Sequence, residues 1–253
     1  MKTSTPTSPK PPDPLSILLI GPPGQGKTTL AMQFTSVCIL SCDDNLDGPE
    51  LHLRQKNKDL TFGYERICYT EDDKPLDVTK RYDRLIEKIV SAKDNPAIKT
   101  IVADPLTSIN EFIIQSILGG KRTEMEARDW IPFKSHMLAV ITKLRGTGKT
   151  SICTCHESKL TEPDKKNMMN KVVVGYELSV QGSIVDYFGG FFTDMWRCTA
   201  EPAPGNTLEF RLDVVRTTKS DLKNSLGLPP DGFRIKQGES MFAKIEPYLK
   251  GRI

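Results

Sequence analysis

A short apolar run that ends in a glycine-rich loop constrains this chain more than any other feature. Leu15-Ser-Ile-Leu-Leu-Ile20 reads as a buried strand, and Gly21-Pro22-Pro23-Gly24-Gln25-Gly26-Lys27-Thr28 follows it without a gap. These eight residues match G-x-x-x-x-G-K-[ST] at every fixed position. The glycines let backbone N–H groups curl around an anion, and the helix that opens at Lys27 adds its positive dipole end. Lys27 has the reach for the β- and γ-phosphates of a nucleotide, the Thr28 hydroxyl suits Mg²⁺, and Thr29 continues the cradle. Chance yields such a match in roughly one chain of this length in a hundred at average glycine usage. A second string, Gly146-Thr-Gly148-Lys149-Thr150, imitates the motif, but Lys143 stands where the leading glycine belongs. It also precedes a strand, so it reads as a helix stop and loop.

Strands alternate with helices along the rest of the chain. Strands are expected at 37–40, 65–69, 100–103 and 151–155, and helices at 27–36, 76–92, 106–118 and 126–145. On the helix at 76–92, Tyr82, Leu85, Ile86, Ile89 and Val90 share one face; on that at 126–145, Met137, Leu138, Ile141 and Leu144 do. The strand at 37–40 ends in Ser41-Cys-Asp-Asp-Asn45, the stretch from there to about Gly63 is polar and poorly patterned, and 157–170 reads as a polar loop. A helix is expected from about Ser183 to Phe188. Two late strands, at 192–199 and 208–217, flank the turn-rich Glu201-Pro-Ala-Pro-Gly-Asn206, and 240–250 reads as a short helix. This alternation implies an α/β fold, a mostly parallel central sheet flanked by helices with late antiparallel strands.

With 253 residues and 38% hydrophobic content, the chain fits one domain at 15–253 with a C-terminal extension, behind a Pro/Ser/Thr-rich tail at 1–14 expected to be disordered. No apolar run is long enough to span a bilayer. The tail has no apolar h-region, so a cytoplasmic protein with reduced thiols is expected. Cys38, Cys153 and Cys155 lie in apolar runs and read as small buried hydrophobes. Cys153-Thr-Cys155-His156 lacks the second ligand pair of a zinc site. The formal charge of +3 permits a nucleic-acid partner without arguing for one.

Phosphoryl transfer needs an acid for Mg²⁺ at a neighbouring strand end, and Ile101-Val-Ala-Asp104 supplies it; the alternative use of Asp104 is to cap the next helix. Ring ATPases of the AAA+ type carry Asp-Glu at this strand end, and Pro105 after Asp104 argues against that type. GTPases show Asn-Lys-x-Asp, whereas Asn57-Lys-Asp59 lacks the spacer.

The pieces GPPGQGKTTLA, ILSCDDN, KTIVADPLTSI, SICTCHES and VVRTTKSDLKNSLGLP together resemble a RecA-like core P-loop ATPase of the phage single-strand-annealing and recombination type, over 15–229. The resemblance implies ATP and Mg²⁺ as ligands, single-stranded DNA as partner, assembly into a homo-oligomeric ring or filament, and a single-strand-binding protein as a further partner. It implies a water-activating acid at the strand end after the P-loop helix, where Asp44 is the first choice and Asp43 the second. Here Asp stands for the usual Glu, and Glu71 is a weaker substitute. It places His156 as a γ-phosphate sensor, with a plain strand-end histidine as the alternative. It places Arg216 and Lys219 as cations that reach a neighbouring subunit's nucleotide, with solvated strand-end charges as the alternative.

Two DNA-facing loops are implied at 118–129 and 157–176. The first carries Lys121 and Arg122, the second Lys159, Lys165, Lys166 and Lys171; acids dilute both. The expected function is therefore a RecA-like ATPase acting on single-stranded DNA. The alternative is a nucleotide-switched protein-interaction module with little turnover.

Overall fold

In the computed structural model, which describes residues 14–56, 62–163, 171–181 and 184–249, the sheet forms around the P-loop strand. The tail to Asp13, the Asn57–Asp59 string, Lys165, Lys166 and Ser183 lie outside the described residues. The strands are β1 (Ser16–Ile20), β2 (Val37–Ser41), β3 (Gly63–Arg66), β4 (Thr100–Asp104), β5 (Thr150–Cys155), β6 (Glu157–Pro163), β7 (Lys171–Leu178), β8 (Asp194–Ala203), β9 (Thr207–Asp213) and β10 (Phe233–Lys236). The helices are α1 (Lys27–Ala31), α2 (Asp47–Lys56), α3 (Arg81–Asp94), α4 (Leu106–Leu118), α5 (Trp130–Arg145), α6 (Val185–Phe191) and α7 (Met241–Leu249).

The eight-stranded sheet runs β10-β9-β8-β1-β5-β4-β2-β3. Strands from β8 through β3 are parallel, and β9 and β10 add antiparallel pairs at one edge. This is the architecture expected. Period-two alternation divides each central strand between two cores. Leu18, Leu40, Ile101 and Cys153 pack with α3, α4 and α5 on one face. Ile17, Ile39, Val102 and Ile152 pack with α1 and α7 on the other. Both faces are apolar because both are covered, so the central strands read as continuous hydrophobic runs.

Several boundaries differ from expectation. α1 stops at Ala31, because Gln33 and Phe34 donate to carbonyls three residues back and Ser36 takes φ 47. The polar stretch after β2 contains α2; Asp47 and Glu50 sit in its first turn, Glu50 pairs with Arg54 at 2.7 Å, an i,i+4 pair of a few tenths of a kcal/mol, and Leu53 is buried in the core. α3 begins at Arg81, and Val90 lies outside its buried face at 48% exposure. α4 ends as expected, with Gly119 at φ 61. The largest change is at 157–176, where the expected loop is the antiparallel ribbon β6–β7. The string at Gly146 is the helix stop expected: Thr147 Oγ1 donates to Leu144 O at 2.6 Å and Lys149 Nζ to Asn95 O and Ile98 O at 2.7 Å.

Candidate nucleotide site

The P-loop closes over the C-terminal end of β1. Gly21 lies so close to β8 that a side chain would run into the Cys198 carbonyl oxygen, and its N–H donates to Cys155 O at 3.2 Å. Gln25 Oε1 accepts the N–H of Ala200, which ties the crown of the loop to β8. Gly24 and Gly26 take positive φ of 75 and 79, a conformation that carries no steric cost for glycine. Lys27 is buried, and Nζ donates to Gly21 O at 2.7 Å and Pro22 O at 2.8 Å. Burial pushes its ammonium below the usual lysine range, against the opposing pull of Cys198 and Asp104.

Register brings the candidate metal-binding oxygens together. Ser41 stands opposite Asp104 across β2 and β4, and Thr154 Oγ1 donates to Asp104 Oδ1 from β5. Thr28 Oγ1 donates to Asp104 Oδ2 at 2.9 Å. Asp104 is buried; desolvation raises its pKa, and the hydroxyls of Thr154 and Thr28 oppose that rise. A buried carboxylate beside a hydroxyl is a hard-oxygen donor pair, and it fits Mg²⁺, which keeps several waters and takes one or two protein carboxylates. Thr154 went unnoticed in the sequence. Its alternation with Ile152, on the same face of β5, was the available signal.

The two acids after β2 are placed differently. Asp44 has φ 62, and its carboxylate accepts from Arg66 Nε and Nη2 at 2.6 Å each. The Arg66 guanidinium also lies 3.7 Å over the Tyr69 ring. The hydrogen bonds from Arg66 hold the Asp44 carboxyl below the usual carboxylate range. Among the described residues, Asp43 accepts from Asn45 alone, at 3.2 and 3.3 Å, and its charge raises the pKa of both Asp104 and His156. Glu71 stands away from the cleft, paired with Lys88 at 2.8 Å and Arg84 at 3.2 Å. His156 sits at the end of β5, where its backbone N–H donates to Thr107 Oγ1 at 3.2 Å. Burial, and then Lys27, lower its pKa, so the imidazole is neutral near pH 7.

These groups line one cleft of about 600 Å³, which runs from Lys27, Thr28, Asp104, Asp43, Asp44 and His156 past Thr29 to Phe210 and Met241. Arg216 and Lys219 do not line it. Arg216 is 76% exposed and pairs with Asp221 at 2.7 Å; the Lys219 carbonyl accepts from Tyr176 N–H at 3.1 Å, so their turn docks on β7. Of the expected DNA contacts, Lys121, Lys159 and Lys171 are exposed. Arg122 is engaged by Asp129 at 2.7 and 3.0 Å, an interaction that draws the Asp129 carboxyl down to about 2.

One buried ion pair was not foreseen. Glu157 Oε1 accepts from Arg197 Nε at 2.6 Å, and the Arg197 guanidinium stacks 3.7 Å over Tyr176. It fastens the base of the β6–β7 ribbon to β8, next to the strand contact of the P-loop. Burial raises the pKa of Glu157, and Arg197 opposes the rise. Cys153 and Cys155 are buried as expected; burial pushes the Cys155 thiol up to about 12.

The model of a family described as the AAA domain matches residues 13–226. The chain belongs to the AAA domain family. Within that family name, this chain carries Asp104-Pro105 where AAA+ ring ATPases carry Asp-Glu. No curated protein sequence matches the AAA domain chain. Among solved structures it is similar to a KaiC-like protein from Pyrococcus horikoshii, at 14% identity and TM-score 0.46, over 89% of this chain and 90% of that one. It is also similar to the flagellar accessory protein FlaH from Methanocaldococcus jannaschii, at 12% identity and TM-score 0.40, over 88% and 90% of the two chains. Among the described residues, no helix is long and apolar enough to cross a membrane.

Proposed function

We propose that this AAA domain chain hydrolyses ATP with Mg²⁺ and works as an oligomeric, RecA-like motor on single-stranded DNA. The observation that carries the hydrolytic part is the Thr28–Asp104 hydrogen bond of 2.9 Å at the foot of a complete P-loop, beside buried Lys27. Lys27 exchanges its bonds to the loop carbonyls for bonds to the β- and γ-phosphates. Thr28 and Asp104 hold Mg²⁺, which when bound neutralises charge on the phosphate oxygens. Asp43 takes the proton of the attacking water, and the γ-phosphate leaves ADP as inorganic phosphate. Asp44 stays with Arg66 and anchors the loop. Neutral His156 offers an N–H to the γ-phosphate oxygens.

Arg216 and Lys219, exposed and outside their own cleft, supply cations to the next subunit in a ring or filament. Lys159 and Lys171 on the β6–β7 ribbon, with Lys121, supply the DNA contacts. A specific observation favours the alternative of a nucleotide-switched protein-interaction module: the ribbon also exposes Leu160, Val172 and Val174, side chains that suit a protein partner. Turnover measured with and without single-stranded DNA separates the two. Stimulation that is lost in Lys27→Ala supports the motor. Turnover that is DNA-independent and near zero leaves the switch, and full turnover in Lys27→Ala removes the site assignment altogether.

A further inference from the structure

The cleft does not end with the phosphate groups. Beyond Thr29 its wall passes to the antiparallel edge of the sheet, where Phe210 on β9 stands opposite Ile235 on β10. The Phe210 ring lies against Gly26, 3.5 Å from where a Cβ would stand, so an aromatic face begins where the phosphate cradle stops. The lining continues through the turn after β10, with the polar Gln237 and Glu239, to Met241 at the start of α7. Residues 233–241 lie beyond the stretch that matches the family model, which ends at 226.

This late segment is tied directly to the P-loop helix. Ser240 Oγ donates to Gln33 Oε1 at 2.6 Å and accepts the Ala243 N–H at 3.1 Å, so one hydroxyl caps α7 and docks it. Gln33 Nε2 in turn donates to Thr29 O at 2.8 Å. Phe34 and Phe242 meet edge to face with centroids 5.0 Å apart. The turn therefore keeps a set position relative to Thr28 and Thr29, as a ligand spanning both ends of the cleft requires.

We infer that the C-terminal segment β10–α7 completes the nucleotide site, its turn and the Phe210 ring forming a nucleoside subsite that takes the ribose and heteroaromatic base of a nucleoside triphosphate. An apolar face with a few polar groups at its edge suits a flat ring with a hydrogen-bonding rim. The subsite rests on the P-loop reading, since only phosphates seated at Lys27 bring a base to Phe210.

Binding of two probes, each with Mg²⁺, tests it: ATP, and inorganic tripolyphosphate, which has the phosphates and no nucleoside. The full-length protein should bind ATP at least about 10-fold more tightly than tripolyphosphate, a difference of about 1.4 kcal/mol. Phe210→Ala should bring ATP to within about threefold of tripolyphosphate while tripolyphosphate affinity holds. The exposed double variant Gln237→Ala/Glu239→Ala should narrow the same ratio, and it guards against Phe210→Ala disturbing Gly26. Equal affinity for the two probes in the unmodified protein overturns the subsite and leaves the P-loop reading standing. A ratio untouched by the double variant, with Phe210→Ala weakening both probes alike, also overturns it. Failure of both probes to bind removes the P-loop reading, and the subsite with it.

Discussion

Asp43 and Asp44 are adjacent in the chain, and they are chemically opposite. Asp44 is bound by Arg66 on both oxygens, and a carboxylate held below its ordinary pKa is a poor proton acceptor. Asp43 accepts hydrogen bonds from Asn45 alone among the described residues. Asp43→Asn should retain ATP binding and slow hydrolysis by about 10²-fold or more, as single-turnover measurements would show. Asp44→Asn should act through the loop's position, with a smaller loss that Arg66→Ala reproduces; equal losses in Asp43→Asn and Asp44→Asn would sink the assignment. Asp104 raises a different question, because its charge is buried. Asparagine keeps partners for Thr28 and Thr154 and removes the desolvation cost of a carboxylate. Asp104→Asn should therefore melt no lower than the unmodified protein without Mg²⁺, yet lose Mg²⁺-dependent ATP binding. A clear drop in melting temperature would show that Asp104 is chiefly structural.

The Glu157–Arg197 pair ties the ribbon β6–β7 to the sheet and is the most buried ion pair among the described residues, with side chains 2% and 12% exposed. Removing one partner of such a pair strands the other charge, at a cost of about 3 kcal/mol. Arg197→Ala should be destabilised by that order near pH 8. The sign with pH follows from Glu157. Burial raises its pKa in the fold, so protonation favours the folded form, and stability is lost as pH rises from about 4.3, the ordinary glutamate value, through the folded value. Without Arg197 the rise is larger. The gap between variant and unmodified protein should then shrink as pH falls toward 5, and thermal melts at pH 5 and pH 8 check this. A pH-independent gap would mean that Arg197 acts by packing on Tyr176 alone.

For the whole molecule the question is whether one chain holds a complete site. Arg216 and Lys219 stand outside their own cleft, so under the oligomeric proposal each site borrows its cation. Arg216→Ala and Lys27→Ala proteins, each inactive alone, should regain part of the turnover when mixed, because some interfaces pair an intact P-loop with an intact Arg216. No recovery together with full activity in Arg216→Ala would move the role to Lys219. DNA binding has its own test at this scale. Each phosphate contact on a single strand contributes a salt slope of about 0.7, so Lys159→Ala and Lys171→Ala should each lower the log–log slope by about that amount. Unchanged slopes would place DNA away from the ribbon.

The P-loop, Asp104 and the strand–helix alternation were legible in the sequence because each is local: a loop needs its glycines, and a buried strand its run of apolar residues. Length and spacing placed α4, β5 and the stop at Gly146 for the same reason. The rest depended on chain segments that meet only on folding. Arg66 reaches Asp44 from 22 residues away, Thr154 reaches Asp104 across a strand register, and Arg197 ties the base of the β6–β7 ribbon to β8. The pattern of a strand shows which side of the sheet a residue faces, while its partner on that side depends on which strands are neighbours. Strand order, and with it the composition of the cleft, belonged to the tertiary structure alone.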